Sequence, residues 1–521
     1  MSRLRPLRLA LAAAPLALAA LPIALGCASD RGAEPALPAA ATAEPAGAAT
    51  AEPAGSRAAS AAEEEAPPAE AYRSWLEPAP PIETGPIVDP ERFHVATLDN
   101  GLTVMVFEDH RLPRFDLGVA VRRGAAMETD AQAGLAAFLA DLMERGAGDR
   151  DALALAQTVD GLGASFGVSA GWDSMEVSLG GLSRDLDALF PVLADLVLRP
   201  RLESAEADKV RAETLAGLER AKDEPRTLAS WHFASAVYGD HRFGLPATGT
   251  PETVAGLDAE QARAFHARLF VPGDAIVYAS GDVDAADIER RAREAFGDWA
   301  VAPVPEPGLP PPPVAPTARR VVVVDRPDVG QAQILMGHEG VARTDPDRVA
   351  VALMNSTLGG GGFSSRLMTV VREREGLAYG IGSGFQLRRG AGPFVVGTAT
   401  RVPEARRAID LILGELEGIR ENPPSEDELA HARTDSAGSF ALGLETSSAM
   451  LGSLVDLAVY GLPLDGLDTF RSRVAAVTTA DVAEQARERI HPERLAIVVV
   501  GPAEVLAPAL EGLGPVEVVR P

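Results

Sequence analysis

Residues 257–283, LDAEQARAFHARLFVPGDAIVYASGDV, return as residues 477–503, VTTADVAEQARERIHPERLAIVVVGPA, with Pro272 matching Pro492 and Gly281 matching Gly501 at one offset of 220. A period that long marks a duplicated domain, since solenoid and propeller repeats recur every roughly 20 to 50 residues. Whatever the chain folds into must therefore contain this helix-then-strand unit twice. Single cores rarely grow past roughly 250 to 300 residues, and the 521-residue chain divides accordingly. Residues 90–300 and 318–515 read as two homologous units. The linker between them, 301–317, contains PVPEPGLPPPPVAP and is expected to be extended and semi-rigid.

Within the first unit, residues 93–107 alternate apolar and polar side chains on either side of Asp99, Asn100 and Gly101, which predicts a hairpin. Residues 114–122 continue as a strand, and 134–146 and 151–161 read as helices. A strand pair follows over 165–179, then a long amphipathic helix over 182–198 and further helices over 205–222, 228–237 and 259–269. Strand 275–280 ends this unit. In the second unit, 365–375 reads as a helix closed by Gly376 as its C-cap, and 377–385 as the next strand. Helices interspersed with antiparallel strands make the fold class α+β.

The N-terminal end carries a different signal. Arg3, Arg5 and Arg8 precede an apolar run that stops at Gly26 and Cys27, the only cysteine. Residues 1–26 are thus expected to be a signal peptide. The tripeptide before Cys27 resembles a bacterial lipobox, so Cys27 is the expected lipidation site of an exported, periplasmic, membrane-anchored lipoprotein. Residues 27–89 are dominated by Ala, Pro, Glu and Gly, with ATAEPAGA followed by ATAEPAGS. Such a tract buries too little to offset its ordering entropy and is expected to be a disordered tether. The net charge of −26, without a basic stripe, argues against nucleic acid as a partner.

Residues 134–146, GLAAFLADLMERG, resemble the zinc helix of the pitrilysin-like (insulinase, M16) metallopeptidases, which reads approximately G-L-A-H-x-x-E-H-x-x-x-x-G. The opening FHVATLDNGLTVMVFEDHRLPRFDLGVAVRRGAAMET and the loop GDHRFGLPATGTPETVAGL are similar to that family too. The resemblance places Ala137, Ala140 and Asp141 where the family has His, Glu and His. Counting back eight from Pro225, past Glu224 and Asp223, places Gly217 at the third zinc ligand. Two imidazoles at i and i+4 share one helical face and can share a metal, with the carboxylate acting on bound water. Alanine offers no lone pair, and one carboxylate cannot hold zinc. The resemblance thus implies that this chain binds no cofactor and that zinc belongs to a partner chain.

Residues 355–380, NSTLGGGGFSSRLMTVVREREGLAYG, are similar to the family segment whose Arg and Tyr, spaced R-x6-Y, hold the substrate peptide. That resemblance assigns substrate binding to Arg372 and Tyr379, with Gly359, Gly360, Gly361 and Gly362 beside the substrate. The alternative readings are a solvated helix Arg, a packed strand Tyr and a plain helix-ending turn. A phosphate loop is excluded because no Gly-Lys-Ser/Thr follows. The implied function is a non-catalytic subunit that completes the chamber of a zinc-bearing M16 chain as a heterodimer, acting on a peptide or unfolded protein. A pseudopeptidase that binds peptides or serves as a scaffold is the alternative. An autonomous peptidase would need a metal site rebuilt from residues such as Asp141, Glu144 and Glu219.

Overall fold

The computed structural model describes residues 81–306 and 316–521. The expected signal peptide, Cys27, most of the tether and residues 307–315 of the linker lie outside the described residues. The first half contains β1 (Phe93–Thr97), β2 (Thr103–Glu108), β3 (Arg114–Val121), α1 (Leu135–Met143), the short pair β4 (Gly146–Ala147) and β5 (Arg150–Asp151), α2 (Ala152–Asp160), β6 (Ser165–Ala170) and β7 (Met175–Leu182). It continues with α3 (Leu186–Leu198), α4 (Ser204–Ala221), α5 (Pro225–Tyr238), α6 (Pro251–Ala255), α7 (Ala259–Leu269), β8 (Ala275–Gly281) and α8 (Ala285–Phe296). The second half contains β9 (Arg320–Asp325), β10 (Gln331–Glu339), α9 (Arg348–Asn355), β11 (Ala378–Phe385), β12 (Pro393–Arg401), α10 (Ala405–Glu421) and α11 (Glu426–Leu442). Then come α12 (Ser447–Val459), α13 (Gly466–Ala476), α14 (Thr479–Arg489), β13 (Ala496–Gly501), α15 (Ala503–Ala509) and β14 (Val516–Val519).

The repeated sequence folds the same way twice, for reasons visible in its residues. Asp258 and Gln261 form a capping box at the start of α7, and Thr478 and Asp481 form one at the start of α14. Pro272 and Pro492 each open a short 3-10 turn that ends the helical path and feeds β8 or β13. The first sheet runs β1-β2-β8-β3-β7-β6, and the second, read from its far edge, runs β14-β9-β13-β10-β12-β11. In each, one central pair is parallel, β2 with β8 and β9 with β13. The outermost strands differ. β1 precedes β2 and lies antiparallel to it, whereas β14 is the last element of the chain and lies parallel to β9.

The central strands are apolar along their whole length because both faces are buried. On β2 and β8, Val104, Val106, Val277 and Ala279 face the core of the first half, built around α1, α3 and α7. The alternate residues Met105, Phe107, Ile276 and Tyr278 pack instead against Leu451, Leu454 and Val455 of α12, a helix of the second half. The reverse exchange occurs on the other sheet. Val322, Val324, Val498 and Val500 pack against Leu228, Phe233 and Val237 of α5, a helix of the first half. Gly337 on β10 permits that approach, since a Cβ there would lie 2.8 Å from Phe233 Cζ. The halves thus trade one helix each. A strap at residues 85–88 adds to the contact, with Asp468 of α13 accepting from the N–H groups of Ile87 (2.7 Å) and Val88 (2.9 Å).

Two elements differ from the sequence expectation. The helix expected from residue 182 begins at Leu186, because Leu182 still pairs with Arg114 as the end of β7 and a 3-10 turn intervenes. The segment expected as a regular helix over 365–375 is a π-type turn over Met368–Arg374, and a second π turn, Ser356–Gly360, ends α9.

Candidate functional site

A cleft of about 2820 Å³ is lined by residues of both halves, including the sheet-edge strands β6 and β11. On its first-half side, α1 buries Leu135, Phe138, Leu139 and Leu142 in the first core, leaving Ala137, Ala140 and Asp141 to line the cleft. α1 starts at Gly134, whose φ of 97° favours glycine and whose Cβ would meet Thr248 O at 2.8 Å. The carboxylate of buried Glu128 accepts hydrogen bonds from the N–H of Gly134 (3.0 Å) and of Ala136 (2.6 Å), satisfying donors that a helix start leaves open. The fully buried Arg242 guanidinium pairs with the same carboxylate. Gly217 lines the cleft from α4, and the place of its missing Cβ is open space.

Asp141 is the one ionisable group among these four positions. Its carboxyl is raised to about 6, first because the surrounding wall strips hydration from it and then because Glu144 and Glu213 lie close, with Arg145 opposing. The side chain nevertheless reaches solvent, so water screens much of this effect.

On the second-half side, Gly359, Gly360 and Gly362 line the cleft, whereas Gly361 is not among the lining residues. The turn is seated tightly on β11, where Asn355 Nδ2 donates to Ser383 O (3.0 Å) and Ser383 Oγ donates to Asn355 Oδ1 (2.7 Å). Arg366, at the start of the following segment, gives both Nε and Nη2 to Glu428 at 2.8 and 2.9 Å and holds that carboxyl at about 2. Six residues on, the Arg372 side chain makes no hydrogen bond or ion pair among the described residues. Its Cζ lies 4.5 Å from the Phe363 ring and 5.4 Å from the Tyr379 ring. All three side chains line the cleft, and Phe363 and Tyr379 are 66% and 77% exposed. A guanidinium held between aromatic faces with its N–H donors unengaged is suited to carbonyl or carboxylate oxygens.

Residues 103–251 match the family model described as Insulinase (Peptidase family M16), and residues 256–435 match that described as Peptidase M16 inactive domain. The chain belongs to the M16 peptidase family. It is 29% identical over 414 residues to an uncharacterized zinc protease of Streptomyces coelicolor, covering 78% of this chain and 89% of that protein. An uncharacterized zinc protease of Mycobacterium tuberculosis is 29% identical over 415 residues, covering 78% of this chain and 92% of that one. Among solved structures, a peptidase M16 inactive domain from Pseudomonas fluorescens superposes with a TM-score of 0.73 at 29% identity, covering 79% of this chain and 98% of that one. A protease from Helicobacter pylori shares the fold, with a TM-score of 0.73 at 21% identity, over 79% of this chain and 99% of that one.

Set against the M16 zinc signature, the four positions that line the cleft do not fit a zinc ion, since they supply one carboxylate and no imidazole. The other carboxylates weighed from the sequence are engaged elsewhere. Glu144 Oε1 accepts from the N–H of Val168 on β6 at 2.8 Å, and Glu219 pairs with Lys222 at 2.9 Å. Among the described residues, no three His, Cys, Asp or Glu side chains gather to hold a metal. Sequence reasoning missed Phe363 and the Glu128–Arg242 pair. Phe363 sits inside the matched GGGGFSSR run and could have been singled out as a large apolar residue directly after the glycines. Nothing in the sequence links Glu128 to Arg242, 114 residues away.

Proposed function

We propose that this chain is the non-catalytic, substrate-holding subunit of an exported M16 peptidase complex, completing the chamber of a zinc-bearing chain. One observation carries the reading: the cleft lined by Ala137, Ala140, Asp141 and Gly217 is also lined by Arg372, whose guanidinium rests against two aromatic rings and makes no hydrogen bond or ion pair among the described residues. Two of the similar proteins bear the name zinc protease, whereas the positions that the resemblance aligns with the family's zinc site are Ala137, Ala140, Asp141 and Gly217 here. In the proposed complex, Arg372 and Tyr379 donate to peptide carbonyl oxygens near the partner's metal, where negative charge develops during attack. The edge strands β6 and β11 offer main-chain hydrogen bonds to an extended peptide.

The test is kinetic, on a complex purified with its zinc-bearing partner. Arg372→Ala should lower kcat about 100-fold to 1000-fold, the worth of one donor to a developing oxyanion, roughly 2.7 to 4 kcal/mol. Tyr379→Phe should also lower it, and the double variant should lose less than the two single losses combined. Full activity in the double variant refutes the reading and leaves a peptide-binding or scaffolding pseudopeptidase in its place. The anchored, periplasmic location rests on the sequence around Cys27 alone. Cys27→Ser should move the chain from the membrane to the soluble fraction, and unchanged fractionation rules out a lipid anchor.

A further inference from the structure

Phe363 is delivered to the cleft by the glycine run that precedes it. A Cβ on Gly359 would come within 2.5 Å of Ser383 Oγ and 2.9 Å of Ser383 N, and one on Gly360 within 2.5 Å of Asn355 Nδ2. Gly359 lets the turn press against β11, and Gly360 lets it fold back on Asn355 at the end of α9. Gly362, at φ 61°, then turns the chain by a conformation that favours glycine, and Phe363 follows in a 3-10 turn, Gly362–Ser364. The ring returns over the π turn and lies closer to Arg372 Cζ than the Tyr379 ring does.

A single exposed Phe needs no explanation in itself. This one differs in three respects: it sits inside a cleft, its ring faces a guanidinium that has no acid partner, and a second exposed ring flanks the same group. Leaving an aromatic face in water forgoes a large burial term, and an exposed cation–π contact offsets only part of it. An apolar group arriving beside Arg372 would recover the remainder. The position is also suited to orientation, because two ring faces restrict the rotation of a long side chain that lacks a salt bridge.

We propose that Phe363 is a positioning and specificity-determining residue for a peptide held by Arg372 and Tyr379. It fixes the guanidinium plane, and its exposed face packs against a large apolar side chain next to the carbonyl that Arg372 contacts. The ligand class is an extended peptide carrying such a side chain. The inference rests on the peptide-holding reading above.

Two short fluorescein-labelled peptides that differ only in a central Phe or Ser, titrated against the full chain by fluorescence anisotropy, test it. The wild type should prefer the Phe peptide by roughly tenfold, the scale on which apolar pockets discriminate. Phe363→Ala should abolish the preference, and Phe363→Trp, which keeps an aromatic face over Arg372, should restore it. Arg372→Ala should weaken both peptides alike and preserve their ratio. Unchanged thermal unfolding of each variant shows that the fold is intact. A ratio unaltered by Phe363→Ala, with Arg372→Ala still weakening both peptides, overturns this inference alone. Absence of binding by the wild type, or binding indifferent to Arg372→Ala and Tyr379→Phe, overturns the peptide-holding reading with it.

Discussion

On the first-half side of the cleft, α1 and α4 present Ala137, Ala140, Asp141 and Gly217; on the second-half side, the segment after α9 presents Phe363, Arg372 and Tyr379. The first side keeps its scaffold in full. Gly134 turns the chain, Glu128 and Arg242 hold the helix start, and four large apolar residues seat α1 in the core. What those four positions offer a ligand is one carboxylate and no imidazole. On the second side the scaffold and the polar groups are both present. The difference shows that helix placement and ligand chemistry are separable. Burial and capping stabilise the fold whether or not a metal binds, whereas a metal ligand contributes nothing to stability without its metal.

The largest expected effect erases this difference. If α1 and α4 still hold the metal geometry, the quadruple variant Ala137→His, Ala140→Glu, Asp141→His and Gly217→Glu should gain one zinc per chain. A Kd of micromolar or tighter corresponds to at least about 8 kcal/mol. Elemental analysis after dialysis reads this out, and a metal-free variant would mean that the side has moved as well as emptied. The next effect attacks the scaffold. Glu128→Ala leaves Arg242 buried without its carboxylate and opens the start of α1, and should cost about 3 to 5 kcal/mol of unfolding free energy by urea titration. A loss below about 1 kcal/mol would show that the pair does not hold the helix.

The smallest effect concerns Asp141. Folded, its carboxyl keeps a proton up to a pH of about 6, whereas a free Asp side chain releases it near 3.8. The folded state therefore binds the extra proton between those values. This group favours folding at acid pH, and that contribution is lost as pH rises through about 6. Asp141→Asn should accordingly stabilise the chain at pH 7.5 and make no difference near pH 3. Because the side chain reaches water, the gain should stay under about 1 kcal/mol. Equal stability changes at both values of pH would argue against a titrating Asp141.

The family and the α+β class were legible in the sequence because they are carried by local patterns: a helix periodicity around residues 134–146, a glycine run ending in R-x6-Y, and a repeated cap-helix-Pro-strand unit. Features that join distant residues were not legible. The apolar runs at 321–324 and 496–500 announce strands buried on both faces, but nothing in them says that α5 of the other half covers one face. Likewise the cation–π contact of Phe363 with Arg372 depends on a π turn, whose wider backbone bonds leave no periodic mark in so short a segment. The early start expected for α3 failed for a similar reason. Apolar periodicity runs through Leu182, yet pairing with Arg114 keeps that residue in the sheet.

The exchange of α5 and α12 sets an order of events during synthesis. The last strand of the first sheet ends at Gly281, but the helix that covers the outer face of that sheet ends at Val459, about 180 residues later. At translation rates of about 5 to 20 residues per second, the ribosome takes roughly 10 to 35 seconds to cover that distance. Throughout that interval the nascent first half carries Met105, Phe107, Ile276 and Tyr278 on an uncovered sheet face. A chain that closes on itself this way leaves its growing form dependent on whatever shields apolar surface at the exit of the ribosome, until its second half arrives.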